Sequence, residues 1–144
     1  MAVRRMDHVG YVVDDLESAV AFFVALGLEV EGRASVSGEW ADRLLALDDV
    51  QTDIAVVRTP DGQSRVELST FHNPAVQPGM PDAPVNVTGI PRLTFVVDSL
   101  DETLENLNPH GARLVGDIAR YEDVCRYCYV RGPAGVIIGI VEEF

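Results

Sequence analysis

Hydrophobic and polar positions follow the same order twice along this chain. The segment DHVGYVV has strand character, and the segment after it, LESAVAFFVAL, spaces its apolar residues as an amphipathic helix does. Asp14 or Asp15 stands where an N-cap is needed, and Gly27 stands where the helix should end. A strand followed by a helix is therefore predicted at the start of the chain.

Three more strands and a short helix are predicted before residue 72. A PDG turn precedes the last of these strands, as it would in a hairpin. The predicted strands are LEVEGRASV, DIAVVRT and RVELSTF, and the helix is the insertion EWADRLLALDD.

The same order returns in the second half, with a PAG turn in place of PDG. The predicted elements are the strand RLTFVVD, the helix SLDETLENLN, a turn at Gly111, and the strands RLVGDI, VCRYCYVR and VIIGIVE. This pattern predicts an α+β chain of two βαβββ modules, at 1–72 and 89–144. A linker rich in Pro and Gly, 73–88, joins them within one domain, 1–144.

Composition narrows the class of protein. The chain has 144 residues, 47% hydrophobic and 24% charged, as soluble globular proteins do. It has no apolar run long enough to cross a bilayer, and no hydrophobic core follows the two arginines near its start, so a cytoplasmic protein is expected. The net charge of −12 argues against nucleic acid as a partner. It favours a neutral or cationic small ligand, unless it serves only solubility.

Two cysteines, Cys125 and Cys128, have the spacing of a redox pair or of half a zinc site. Their surroundings have strand character, and residues three apart on a strand point to opposite faces. They are therefore predicted to be reduced structural thiols.

The order of these motifs resembles one family, the vicinal-oxygen-chelate superfamily of glyoxalases, extradiol dioxygenases and bleomycin resistance proteins. The resemblance covers nearly the whole chain and is carried by the segments DHVGYVVDDLESAVAFF, VELS, VVDSLD and GPAG. It implies a homodimer and two modules whose curved mixed sheets surround an open cavity, which is formed either within one chain or across the two subunits. It also implies a divalent metal, such as Fe, Mn, Zn or Ni, on ligands from the first and last strands of each module.

The metal positions of that family fall here on His8, Glu67, Arg92 and Gly139. Imidazole and carboxylate are the ligands that such metals prefer. Arginine has no lone pair to offer and glycine has no side chain, and Ile140, one residue further, is no better. No cofactor is therefore expected. The alternative is a metal held by His8 and Glu67 and completed by water and other side chains.

Arg92 has a constructive interpretation in this resemblance. A carboxylate at Glu67 in an apolar cavity needs a counter-charge, and a guanidinium can supply one. Strand alternation places His8 and Gly10 on one face of the first strand, and Arg92 and Thr94 match them in the repeat.

Other side chains are candidates for the cavity wall. Ser69 and Phe71 share the face of Glu67, whereas His72 should face away. Trp40 either covers the edge of the core or forms a wall. A final pair of aromatic candidates, Tyr127 and Tyr129, lies on one face of its strand, and the sequence leaves open whether that face or the opposite face of Arg126 and Cys128 points inward.

Two functions follow from the resemblance. The first is binding and sequestration of an aromatic or amphipathic natural product, such as an antibiotic, with the residues above as recognition groups. The alternative is a metal-dependent glyoxalase, lyase, isomerase or dioxygenase acting on a small oxygenated substrate, with Glu67 and His8 as its catalytic groups. A metal-free variant would use one of these two residues as the general base.

Overall fold

The computed structural model describes residues 2–144. The chain divides into two compact units, the first ending at Pro78 and the second beginning at Gly79. This division falls within the segment predicted as a linker, 73–88. That the two units form one domain stays a prediction.

The first unit contains a four-stranded mixed sheet in the order β1-β4-β3-β2, with two helices. Strand β1 runs parallel to β4, and the other neighbours are antiparallel. Its elements are β1 (Val9–Val12), α1 (Leu16–Leu26), β2 (Glu29–Ser37), α2 (Glu39–Leu45), β3 (Gln51–Arg58) and β4 (Arg65–Asn73). The predicted elements of this half are all present.

Helix α1 begins and ends where its sequence requires. Of the two predicted caps, Asp15 is the one used, and its carboxylate accepts from the Ser18 backbone N–H at 3.1 Å. Gly27 ends the helix at a φ of 123°, which a residue with a Cβ avoids. The fully buried Phe22 and Phe23 belong to the core of this unit.

Alternation along β3 and β4 separates two faces of this sheet. Ala55 pairs with Leu68 and Val57 with Val66, and all four are buried. Glu67 lies between Val66 and Leu68 in β4, so its side chain emerges on the opposite face.

The second unit contains a five-stranded mixed sheet in the order β5-β9-β8-β6, with β7 also paired to β8. Strand β5 runs parallel to β9, and the remaining pairs are antiparallel. Its elements are β5 (Arg92–Val96), α3 (Leu100–Leu107), β6 (Arg113–Leu114), β7 (Ala119–Tyr121), β8 (Cys125–Arg131) and β9 (Ile137–Glu143).

One predicted strand of this unit is wrong in detail. The segment RLVGDI was predicted to be continuous, but β6 ends at Leu114 and the next strand begins at Ala119. These two residues are five positions apart, whereas their partners in β8, Val130 and Tyr127, are only three apart. The two extra residues cannot join the ladder, and they form an irregular segment that includes Gly116.

The α+β fold predicted from the repeat is confirmed in both units. Among residues 2–144, no helix is long and apolar enough to cross a membrane.

Candidate functional site

In the first unit, a histidine and a carboxylate lie together on the sheet face opposite the buried core. His8 immediately precedes β1, and Gly10 in that strand pairs with Glu67 in β4. The His8 Nε2 atom is 3.3 Å from Glu67 Oε2, and the two side chains are 37% and 31% exposed. The structure therefore brings together the two metal-position residues that were predicted in the first module.

A second carboxylate orients this histidine. Asp7 Oδ2 lies 2.8 Å from His8 Nδ1, and Asp7 Oδ1 accepts from Arg5 at 2.8 Å. The hydrogen bond with His8, followed by that with Arg5, holds the pKa of Asp7 below its ordinary value. An ionised Asp7 accepts a hydrogen bond from the Nδ1–H group of His8, and Nε2 is the nitrogen that faces Glu67.

The role of Asp7 was not predicted from the sequence. Its position beside His8 was the available signal, but adjacent residues of a strand ordinarily point to opposite faces. Both residues precede the first residue of β1, where that alternation does not apply.

A cavity of about 640 Å³ lies beside this pair. Met6 and Val56 contribute apolar wall, and Arg65 is paired with Glu31 at 2.7 Å along the same wall. The hydrogen bond between Arg65 and Glu31 is the main reason why the pKa of Glu31 is lowered and the pKa of Arg65 is raised. Both groups are thus charged at neutral pH, so the cavity combines apolar surface with fixed charges.

The remaining candidates of the first unit, Ser69, Phe71 and Trp40, do not line the cavity beside His8 and Glu67. Ser69 pairs with Val12 on the face of Glu67, and Phe71 lines a second cavity of about 820 Å³. Trp40, in α2, is 62% exposed, so it does not cover the core of its own unit.

His72 also lies away from Glu67, as predicted. Its Nε2 atom is 2.8 Å from Asp53 Oδ2, and Asp53 pairs with Thr70 on the buried face of the sheet. A hydrogen bond from Ser35, and then the one from His72, lower the pKa of Asp53.

In the second unit, four polar side chains form a continuous row across one face of the sheet. The Tyr127 hydroxyl donates to Tyr129 at 3.2 Å, and Thr94 Oγ1 lies 3.2 Å from the Tyr127 hydroxyl. At the other end, Arg92 Nη1 lies 3.5 Å from the Tyr129 hydroxyl, and the guanidinium lies over the Tyr129 ring, 5.5 Å from its centroid. We call these four residues the hydroxyl row.

The two faces of β8 have different surroundings. The face of Tyr127 and Tyr129 carries the hydroxyl row. The opposite face carries Arg126, which pairs with Asp101 of α3 at 3.0 Å, and Cys128, which is 2% exposed. Burial raises the pKa of the Cys128 thiol. Cys125 and Cys128 are both free thiols, as predicted.

Gly139 lies directly under the hydroxyl row. It pairs with Thr94 on one side and Tyr129 on the other. A Cβ at Gly139 would lie 2.5 Å from Thr94 Oγ1 and 3.0 Å from Thr94 Cγ2. The space of a side chain at this position is therefore already taken by Thr94.

The residues at the family's metal positions do not fit a four-ligand centre. His8 and Glu67 supply a nitrogen and oxygens, but Arg92 has only donors and Gly139 has no side chain. Within residues 2–144 no group of three or more His, Cys, Asp or Glu side chains is arranged to hold a metal ion.

Comparison with solved structures gives close and distant relatives. A glyoxalase family protein from Bacillus cereus is 45% identical with a TM-score of 0.95, over 100% of this chain and 97% of that one. A glyoxalase/dioxygenase from Nostoc punctiforme is 21% identical with a TM-score of 0.67, over 98% and 92% of the two chains. The trypanothione-dependent glyoxalase I of Leishmania major is 16% identical with a TM-score of 0.67, over 98% and 88%. The last two likenesses concern the fold alone.

Comparison by sequence agrees with the comparison of structures through a family model. No match was found among curated proteins. The model of the Glyoxalase/Bleomycin resistance protein/Dioxygenase superfamily matches residues 7–129, a span that begins beside His8 and ends within the hydroxyl row. Each unit has one strand-and-helix module, the family model matches most of the chain, and a relative that is 45% identical covers all of it. The chain therefore belongs to this superfamily.

Proposed function

We propose that this protein binds a small aromatic or amphipathic molecule and sequesters it without a metal. The observation that carries the proposal is the hydroxyl row, in which Arg92, at a family metal position, lies beside the Tyr129 hydroxyl. A guanidinium can orient an organic ligand by donating hydrogen bonds, whereas it has no lone pair for a metal.

Gly139 supports the proposal from the same place. With Thr94 filling the space above it, the second unit presents a surface of hydroxyl and aromatic groups. The Tyr127 and Tyr129 rings meet edge to face, 5.1 Å apart. A flat apolar ligand gains affinity by burying its area against such rings.

The first unit carries a separate set of candidate recognition groups. His8 and Glu67 lie at a cavity of about 640 Å³, which is within the range of small-molecule sites. In that cavity the polar groups would fix the orientation of a ligand, and Met6 and Val56 would cover its apolar part.

A second candidate function is metal-free proton transfer. Asp7 holds the His8 imidazole by a hydrogen bond at Nδ1, and the other nitrogen, Nε2, lies 3.3 Å from Glu67 Oε2. An imidazole oriented in this way is suited to act as a general base. This observation favours an enzyme.

Metal content and ligand binding together test the proposal. After dialysis against Fe, Mn, Zn and Ni in turn, we expect well under one metal per chain by plasma mass spectrometry. In a screen of aromatic natural products by calorimetry, we expect stoichiometric binding that survives chelator. The substitution Glu67→Gln should keep that stoichiometry and weaken binding by about tenfold, because one charged hydrogen bond is lost.

Glu17→Gln is the matched control, since Glu17 is exposed and paired with Arg33 at 2.7 Å in the same unit. Stoichiometric metal that disappears in Glu67→Gln but not in Glu17→Gln would contradict sequestration without a metal. Turnover of a bound compound that Glu67→Gln abolishes would instead favour the enzyme.

We further propose that the protein is a homodimer. The family resemblance and the exposed apolar side chains Trp40 and Leu44 on α2 support this. Light scattering coupled to size exclusion should then give twice the chain mass of 15.7 kDa. A mass of one chain, unchanged on concentration, would refute the dimer.

We also propose a cytoplasmic location. The free thiols Cys125 and Cys128 support a reducing compartment, and cell fractionation would test it.

A further inference from the structure

We propose that the second unit holds an acidic oxygen of the ligand, a carboxylate or a phenolate, between Arg92 and Tyr129. This inference rests on the proposed binding of a small molecule and adds its chemical class.

The first argument concerns the partners of the arginines in this unit. Arg92 is the arginine here that has neither a carboxylate nor a carbonyl partner among the described residues 79–144. The other four arginines are each bound by acceptors: Arg113 by Asp82 at 3.0 Å, Arg120 by Asp123 at 3.2 Å, Arg126 by Asp101 at 3.0 Å, and Arg131 by the carbonyls of Pro81 and Ala83. In a chain of net charge −12, a guanidinium left with only a tyrosine is placed to receive an external anion.

The geometry of Arg92 suits a carboxylate. Its guanidinium lies over the Tyr129 ring, 5.5 Å from the centroid, which restricts the orientation of the planar group. The Nη1 atom of Arg92 lies 3.5 Å from the Tyr129 hydroxyl oxygen, and the other N–H groups of the guanidinium can donate to a ligand. A planar fork with parallel donors matches the two oxygens of a carboxylate better than an ammonium does.

The direction of hydrogen bonding along the row supplies a further donor. The Tyr129 oxygen accepts from Tyr127 at 3.2 Å and from Arg92, and these two bonds use both of its lone pairs. Its own hydrogen must therefore point to a third group. The neighbouring Tyr127 side chain, followed by burial, raises the pKa of Tyr129, so the hydroxyl keeps its hydrogen at neutral pH.

The neighbouring surface suits the rest of such a ligand. Val96 lies on the same face of β5 as Arg92 and is 63% exposed, and its strand partner Val141 is half-buried. An acid bound at Arg92 could thus extend a flat apolar group along Thr94 toward Val96. The net charge of −12 predicted a neutral or cationic ligand, but the long-range field of this charge is largely screened beyond about 8 Å at physiological salt, so the nearby Arg92 has the larger effect.

The experiment compares two probes that differ only in charge. 2-Naphthoate and 2-naphthamide are titrated into the isotope-labelled full chain, and backbone amide signals and the Arg92 side-chain N–H signal are followed by NMR. We expect the naphthoate Kd to be at least about tenfold lower, as a charge-assisted bidentate contact provides. The shifts should centre on Arg92 and Tyr129.

Four variants locate the preference. Arg92→Gln should abolish the tenfold advantage of naphthoate, and Arg92→Lys should keep only part of it because the fork is lost. Tyr129→Phe should reduce it by removing one donor. Arg113→Gln, which changes an exposed arginine already paired with Asp82, should leave it unchanged.

The outcomes separate the two proposals. Equal affinity for naphthoate and naphthamide would overturn the anion site while leaving small-molecule binding intact. A naphthoate preference that persists in Arg92→Gln and Arg92→Lys, with folding verified from their spectra, would also overturn it. If neither probe shifts any signal in 79–144, both proposals fail.

Discussion

Alanine in place of Gly135 should lower the free energy of unfolding by about 3 kcal/mol or more. Gly135 has a φ of 80°, where a Cβ costs about 1–2 kcal/mol. Its Cβ would also overlap the backbone O, Cα and C of Pro81, and crowding in a packed site adds about 1–3 kcal/mol. Backbone atoms cannot turn aside as a flexible side chain can. Urea denaturation of the purified variant measures the loss.

Two other glycines of the same unit separate these contributions. Gly111 has a φ of 81° but open space around its missing Cβ, so Gly111→Ala should cost only the conformational part. Gly116 has open space and no positive φ, so Gly116→Ala should change stability by less than about 0.5 kcal/mol. If Gly135→Ala costs no more than Gly111→Ala, Pro81 is not packed against this turn in solution.

The second large effect is expected at Gly139, the glycine at a family metal position. Gly139→Ala should cost about 2 kcal/mol, because the new Cβ would approach Thr94 Oγ1 to 2.5 Å and Thr94 Cβ to 3.1 Å. Thr94 is β-branched, so its side chain has few rotamers in which to avoid the contact. The clash involves mainly atoms that alanine lacks, so Thr94→Ala should relieve most of it.

A double-mutant cycle tests this interpretation. The combined variant Thr94→Ala with Gly139→Ala should be more stable than the sum of the single losses predicts, by about 1 kcal/mol or more. Strictly additive losses would mean that Thr94 does not occupy the space above Gly139. The cycle therefore measures whether the Thr94 side chain occupies the space that a side chain at position 139 would need.

These packing relations explain why the second module could be predicted only in part. The contact between Thr94 and Gly139 depends on the register of β5 against β9, and these strands are distant in sequence. The interruption between β6 and β7 depends on two residues that do not fit the ladder with β8. Val115 and Ile118 have strand propensity, so the local pattern alone predicted one strand.

Strand β8 shows most clearly where local pattern ends. Its segment CRYCYVR offers aromatic hydroxyls on one face, and a thiol and a guanidinium on the other, so neither face is plainly apolar. Packing decided which face lies where, since Arg126 forms an ion pair with Asp101 of α3 on one face. On the other face the two tyrosine hydroxyls lie beside Arg92 and Thr94.

The sequence by itself determined the repeat, the order of nearly all the helices and strands, the end of α1 at Gly27, and the family, because these follow from short-range periodicity and from motifs read in order. It also determined that Arg92 and Gly139 cannot be metal ligands, since this follows from their chemistry. Only the tertiary structure decided that Asp7 orients His8, that the tyrosines lie with Arg92, and that Thr94 covers Gly139. Each of these depends on distances of a few Å set by loop geometry and strand register, which side-chain pattern along the chain does not encode.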